Sequence, residues 1–149
     1  RYIDWRWSNR INMKNNLSVI ILAAGKGTRM NSNIPKVLYP LAGKTLLSHV
    51  VDTAESLCPQ HIVIIIGYKS DLVKKSINKN NLNFSLQNEQ KGTGHAVMQC
   101  EEHLKNFRGQ TLVLSGDVPL IGFSTLQSLR DIKYMDIIFM ELQIYNLFM

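Results

Sequence analysis

Residues 18–23 (SVIILA) form an unbroken apolar run, rich in β-branched side chains, that stops just before a glycine. A strand with one wet face alternates polar and apolar residues. A run without alternation predicts a strand buried on both faces, which is the situation of a parallel sheet. Parallel strands must be joined by crossovers long enough to hold helices, and the following sequence supplies them. From Lys44 onward, Leu46, Leu47, Val50, Val51, Ala54 and Leu57 recur at helical spacing, predicting an amphipathic helix that ends before Pro59. Residues 62–66 (IVIII) read as a second buried strand closed by Gly67, and 70–77 as a second helix capped by Ser70 or Asp71. Residues 83–86 are a short third strand. Residues 94–107 are helical, with Ala96, Val97, Cys100 and Leu104 on one side. Residues 111–114 form a fourth strand ending at Gly116-Asp117, and 124–133 a closing helix. This alternation predicts a doubly wound, mostly parallel, Rossmann-like α/β sheet with right-handed crossovers, without internal repeats or linkers.

Composition narrows the class. The chain has 149 residues, 45% hydrophobic and 19% charged, which suits one globular domain and excludes disorder. No apolar run reaches the roughly 18 residues of a membrane span. The first twelve residues carry Arg1, Arg6 and Arg10 beside Trp5 and Trp7, with no continuous apolar stretch or small-residue cleavage site, so they do not read as a secretory signal. A cytoplasmic location is the default expectation. Residues 1–12 show neither helical nor strand period; they are expected to be an extension outside the fold, with Met13 as the true start. Cys58 and Cys100 have no CxxC spacing and no histidine partner, so free, buried thiols are expected rather than a disulfide or zinc site. Of the net charge of +6, the first twelve residues supply +2 through three arginines against Asp4, and the lysines of the remainder are scattered apart from Lys74-Lys75, which suits small phosphorylated substrates as well as nucleic acid. Nucleic acid ranks last, because basic and aromatic residues are not interleaved.

In doubly wound sheets ligands sit outside the carboxyl ends of the strands. The segments at 25–27, 92–94 and 116–117, glycine-rich or acidic, all fall at or near such ends. Gly25-Lys26-Gly27-Thr28-Arg29 can cradle a polyphosphate with its backbone amides, Lys26 and Arg29 supplying charge, or can be a plain strand-to-helix turn. Two common fingerprints are excluded: GxGxxG from Gly25 needs glycine where Met30 stands, and a Walker loop ending at Gly43-Lys44-Thr45 needs glycine where Leu38 stands. Pro35 stiffens the chain before Lys36, which can face the same phosphates or only solvent. Gln87 and the Gly92-Thr93-Gly94 backbone can meet a base edge, or Gly92 to Gly94 can be a helix entrance. His95 reads as a packing or hydrogen-bonding residue rather than a base. Asp117 is a carboxylate pinned at a strand end, suited to magnesium or to a turn.

Together, the segments 22–30 (LAAGKGTRM), 35–38 (PKVL), 41–44 (LAGK), 89–96 (EQKGTGHA) and 116–120 (GDVPL) resemble the N-terminal domain of the bacterial bifunctional GlmU family, the N-acetylglucosamine-1-phosphate uridylyltransferases and glucosamine-1-phosphate acetyltransferases. The similarity covers about residues 17–133. It implies a nucleotide-diphospho-sugar transferase fold, of which residues 13–133 are the N-terminal half. It also implies transfer of a uridylyl group from UTP to N-acetylglucosamine 1-phosphate, giving UDP-N-acetylglucosamine for cell-wall precursors. By the same resemblance Leu22, Ala23, Ala24 and Gly25 line the nucleotide, Gln87, Gly92 and Thr93 read uracil, and Ser115 and Gly116 lie against the nucleotide. Arg29 and Lys36 stabilise the phosphates as catalytic residues, and Asp117 binds Mg2+.

The pattern departs from the family in two places. Ser115 stands where some relatives carry an aromatic residue. Residues 134–149 (YMDIIFMELQIYNLFM) lack the expected glycine-rich sugar loop and read as a divergent apolar tail, with truncation as the expectation. The family's second magnesium ligand and its trimerising β-helix domain have no counterpart in these residues, so no oligomeric state is carried over. Three functions follow as expectations: an active uridylyltransferase, an inactive nucleotide-binding remnant, or a related transferase using another nucleoside triphosphate.

Overall fold

A computed structural model describes residues 16–26, 33–130 and 137–140. Five strands form one sheet: β1 (Leu17–Leu22), β4 (His61–Ile66), β5 (Asn83–Leu86), β6 (Gln110–Ser115) and β7 (Ile137–Met140). Their order is β5-β4-β1-β6-β7, and every pairing is parallel. The chain walks from β1 to one side, returns to the other side with β6, and leaves its switch point between β1 and β6. The α/β class expected from the unbroken apolar runs is the class observed.

Both faces of the sheet are covered, which is why these strands do not alternate. On one face Val19, Ile21, Ile62, Ile64, Leu112 and Leu114 pack against helices α1 (Leu46–Ser56), α2 (Ser70–Ser76) and α5 (Phe123–Arg130), through Leu47, Val51, Ala54, Val73 and Leu126. On the other, Ile20, Val63, Ile65 and Val113 meet Ala96 and Cys100, beside helices α3 (Thr93–Met98) and α4 (Glu101–Leu104). Burying side chains of this size stabilises the fold by about 1.5–3 kcal/mol each.

Local chemistry sets the element ends. Residues 40–45 form a hairpin, β2 (Pro40–Leu41) and β3 (Lys44–Thr45), whose turn residues Ala42 and Gly43 both have positive φ, 47° and 82°. That backbone matches the twist of a two-residue hairpin. Thr45 then caps α1, its Oγ1 accepting from the Ser48 amide at 3.1 Å. The cap of α2 is Lys69, in the left-handed conformation at φ 52°, with no side-chain cap hydrogen bond, rather than Ser70 or Asp71. Those two residues lie inside the first turn, where Asp71 faces the positive helix end. The helical stretch expected over 94–107 is divided into α3 and α4 at Gln99-Cys100. The closing helix is observed as α5; residues 131–133 of the expected span lie outside the described residues. Strand β7 lies within the tail whose type the sequence left open, paired in register from Thr111–Ile137 to Leu114–Met140. Residues 1–12, Met13 and 141–149 lie outside the described residues. Among the described residues no helix is long and apolar enough to cross a membrane.

The cysteines separate. Cys100 is buried and its thiol is pushed up to about 12 by desolvation. Cys58 is exposed, contrary to the expectation of two buried thiols. It follows the end of α1 with φ 51°, a position that turns the chain out of the helix toward Pro59. A thiolate-directed alkylating reagent at pH 8 is therefore expected to modify Cys58 fully and Cys100 only after denaturation. Peptide mass mapping with and without denaturant checks this.

Candidate active site

The carboxyl ends of the strands form one level platform. Register places Leu22 of β1 opposite both Ile65 of β4 and Ser115 of β6. Three backbone bonds carry the ladder just past the strands: Ala23 N–H to the Ile65 carbonyl at 2.8 Å, Gly116 N–H to that of Leu22 at 2.9 Å, and Gln87 N–H to that of Ile66 at 2.8 Å. Residues leaving the strands beyond these bonds start from one height, and a cleft of about 360 Å³ opens there.

Leu22, Ala24, Gly25, Lys36, Gln87, Gly92, Thr93, Ser115 and Asp117 all line this cleft. Segments spread over nearly a hundred residues of sequence thus converge. Ala23 and Gly116 do not line it: Ala23 is buried in the core, and Gly116 is buried among Leu22, Val37 and Leu47. Arg29 lies outside the described residues. Lys26 does not line the cleft either; it stands 5.7 Å over the Tyr68 ring, beside a second hollow of about 280 Å³ that shares Gln87 and Gln90 with the first.

Sequence reasoning missed four lining residues, Val37, Ile65, Gln90 and Ala96. Gln90 donates from Nε2 to the Ala24 carbonyl at 2.6 Å, tying the loop after β5 to the loop after β1. Its position within the motif at 89–96 was the only available signal. Ile65 and Ala96 read as core, and they are core residues whose edges reach the cleft floor.

The polar centre is Lys36 with Asp117. Residues Lys36–Leu38 make one 3-10 turn begun by Pro35, and Val37 is anchored in the core, so its neighbour Lys36 is turned toward the cleft. The Lys36 Nζ lies 2.7 Å from Asp117 Oδ2, and the Ser115 hydroxyl donates to Oδ1 at 2.6 Å. Burial acts to raise the Asp117 pKa, but the Lys36 ammonium and Ser115 hydroxyl outweigh it and hold the carboxyl below the usual carboxylate range. Asp117 is therefore ionised at neutral pH. Among the described residues no cluster of three or more His, Cys, Asp or Glu side chains is gathered for a metal. A single ionised carboxylate beside open space suits a hard cation that keeps its waters and takes substrate oxygens for the rest of its shell.

Across the cleft, Gln87 is 5% exposed. Gly92, at φ 98° and ψ 178°, occupies backbone space essentially closed to other residues, and its carbonyl accepts from the Ala96 amide at 3.1 Å and from Gln87 Nε2 at 3.3 Å. The arrangement offers a cationic and anionic pair at one end and a buried amide at the other.

Residues 19–139 match the profile of the MobA-like NTP transferase domain. Among solved structures, Rv0371c from Mycobacterium tuberculosis H37Rv superposes with a TM-score of 0.69 at 19% identity, over 78% of this chain and 60% of that one. A manganese complex of Rv0371c matches at 18% identity and TM-score 0.66, over 78% and 59%. HddC from Yersinia pseudotuberculosis, solved with GMP-PN, matches at 26% identity and TM-score 0.58, over 76% and 54%. A UDP-glucose pyrophosphorylase solved with UDP-glucose matches at 22% identity and TM-score 0.59, over 75% and 52%. The chain thus spans between 52% and 60% of the length of these structures.

Proposed function

The chain belongs to the family of MobA-like NTP transferase domains, and from that premise we propose that its cleft is the nucleotide half of a sugar-phosphate nucleotidyltransferase. The observation that carries the reading is the Lys36–Asp117 pair and the buried Gln87 amide facing one cleft at the ends of the parallel strands. One end suits phosphates and a cation, the other a base.

In the proposed reaction an oxygen of the sugar 1-phosphate attacks the α-phosphorus of the nucleoside triphosphate in line. The bond from that phosphorus to its bridging oxygen breaks, and pyrophosphate leaves. Lys36 neutralises phosphate charge, and with Arg29 it is the proposed catalytic pair. Leu22, Ala24, Gly25 and Ser115 bound the nucleotide, with Ala23 and Gly116 beneath them, while Gln87, Gly92 and Thr93 meet the base. Asp117 holds the divalent cation, read as Mg2+ from the family resemblance; when bound, it supplies charge neutralisation for the departing pyrophosphate. The manganese complex of Rv0371c supports a divalent cation.

The preferred substrates are UTP and N-acetylglucosamine 1-phosphate, from the resemblance of the motifs at 22–30, 35–38, 89–96 and 116–120. A second reading takes GTP, because HddC, at 26% identity, was solved with GMP-PN. Pyrophosphate release is measured with a panel of nucleoside triphosphates, each with Mg2+ and N-acetylglucosamine 1-phosphate. Turnover highest with UTP is the expected result. Preference for GTP moves the assignment to the second reading, and binding of UTP without turnover leaves a nucleotide-binding module. No binding of any triphosphate at millimolar concentration sinks the proposal.

A further inference from the structure

We infer that His95, which does not line the cleft, is a positioning residue that fixes which end of the Gln87 amide meets the bound base, and so selects bases presenting a ring N–H over cytosine. This rests on the reading of the cleft as a nucleotide site.

The argument is one of donors and acceptors. Gln87 Nε2 lies 3.3 Å from the Gly92 carbonyl, which can only accept, so the nitrogen and not the oxygen points there. The same nitrogen lies 3.2 Å from His95 Nδ1. An amide nitrogen cannot accept, so Nδ1 must carry a lone pair, and the ring proton sits on Nε2. On that side the Gln99 amide nitrogen, which donates at 3.2 Å to the His95 carbonyl, also lies 3.4 Å from Nε2; this is the longer of the two ring contacts, and the tautomer is set at Nδ1, where the Gly92 carbonyl independently fixes the Gln87 nitrogen. A further contact steadies the frame, because the Ser85 hydroxyl donates to the Gln99 carbonyl.

Both hydrogens of the Gln87 amide are thereby used, one on Gly92 and one on His95. Its Oε1 has no hydrogen bond to any described residue and is what the amide offers a ligand. An acceptor fixed in that place pairs with the ring N–H of uracil or guanine. Cytosine presents a ring lone pair at the corresponding atom, and Gln87 has no hydrogen left to meet it. If His95 loses its acceptor, one Gln87 hydrogen is freed and the amide can turn, so the preference between uracil and cytosine weakens.

The test compares UTP and CTP binding by calorimetry, with Mg2+, in the full chain. His95→Leu is expected to weaken UTP about five- to tenfold and to lower the UTP-to-CTP affinity ratio by a similar factor, one neutral hydrogen bond being worth about 1 kcal/mol. His95→Asn, which keeps an acceptor near the Nδ1 position, is expected to restore the ratio. A merely structural role predicts that UTP and CTP weaken equally in His95→Leu, and that result overturns the inference, as does an unchanged ratio. Should His95→Leu fail to fold, a His95→Asn ratio that falls toward one overturns it instead. Wild-type protein that binds no nucleoside triphosphate removes the nucleotide reading itself, and the inference with it.

Discussion

Asp117→Asn is expected to lower the rate of pyrophosphate release by about 10²–10³-fold, the usual cost of removing a group aimed at developing transition-state charge. The substitution keeps the shape of the side chain, removes its charge and turns one acceptor oxygen into a donor, which the Ser115 hydroxyl can meet by rotating to accept. Lys36 Nζ then loses its anion at 2.7 Å and the proposed cation its protein ligand. Stability changes little: the Lys36 side chain is 46% exposed, and an ion pair so screened contributes about 0–1 kcal/mol. That contribution has a sign in pH. Because the folded carboxyl titrates below its unfolded value of about 4, the stabilisation is present above that value and is lost as pH falls through the lower folded one. A second measurement separates chemistry from folding: added Mg2+ should tighten UTP binding to the wild type and leave Asp117→Asn unaffected. Full turnover by Asp117→Asn, with its cation dependence intact, rules out Asp117 as the metal ligand.

Gly116→Ala is expected to destabilise the fold by about 2 kcal/mol, the scale of an overpacked core, with a fall in Tm of roughly 5–10 °C. A Cβ at Gly116 would sit 2.9 Å from the Leu22 carbonyl oxygen, 3.2 Å from Leu47 Cδ1 and 3.3 Å from Val37 Cγ1. The first neighbour is backbone and is the acceptor of the Gly116 amide itself, so it cannot rotate away. Relief requires the ends of β1 and β6 to separate. That motion displaces Ser115 and Asp117 on one side and the loop carrying Ala24 on the other, so activity should fall further than stability alone explains. Thermal melts and turnover measured well below Tm distinguish the two effects. An unchanged Tm shows that the strand ends yield at no cost.

The contrast between these glycines shows how far sequence reaches. Gly116 and Gly25 both stand after apolar runs and look alike in sequence. A Cβ at Gly25 would meet nothing within 4 Å, whereas Gly116 is hemmed in by three elements distant in the chain. The motif at 89–96 holds both Gly92 and His95, but that His95 meets Gln87 depends on the helical turn that brings residue 95 back over residue 87. Lys26 was read with the phosphate loop and is found over Tyr68, because that ring follows β4 and stands beside β1 only once the strands pair. Cys58 looked like Cys100 in sequence, and only its own left-handed backbone, just past the end of α1, sets it apart at the surface.

By itself the sequence determined the α/β class, the principal strands and helices, and the strand-end placement of the glycine-rich and acidic segments. These follow from unbroken β-branched runs and helical spacing, properties read over a few neighbouring residues. The tertiary structure alone decided that Leu22, Lys36, Gln87 and Asp117 share one cleft, that Lys36 pairs with Asp117, and that the Gln87 amide nitrogen meets the Gly92 carbonyl and His95. Those outcomes depend on strand order, register and crossover packing, which join residues up to ninety-five positions apart in the sequence. No local pattern encodes them, because the burial free energy that selects them belongs to the whole sheet and both of its helical layers.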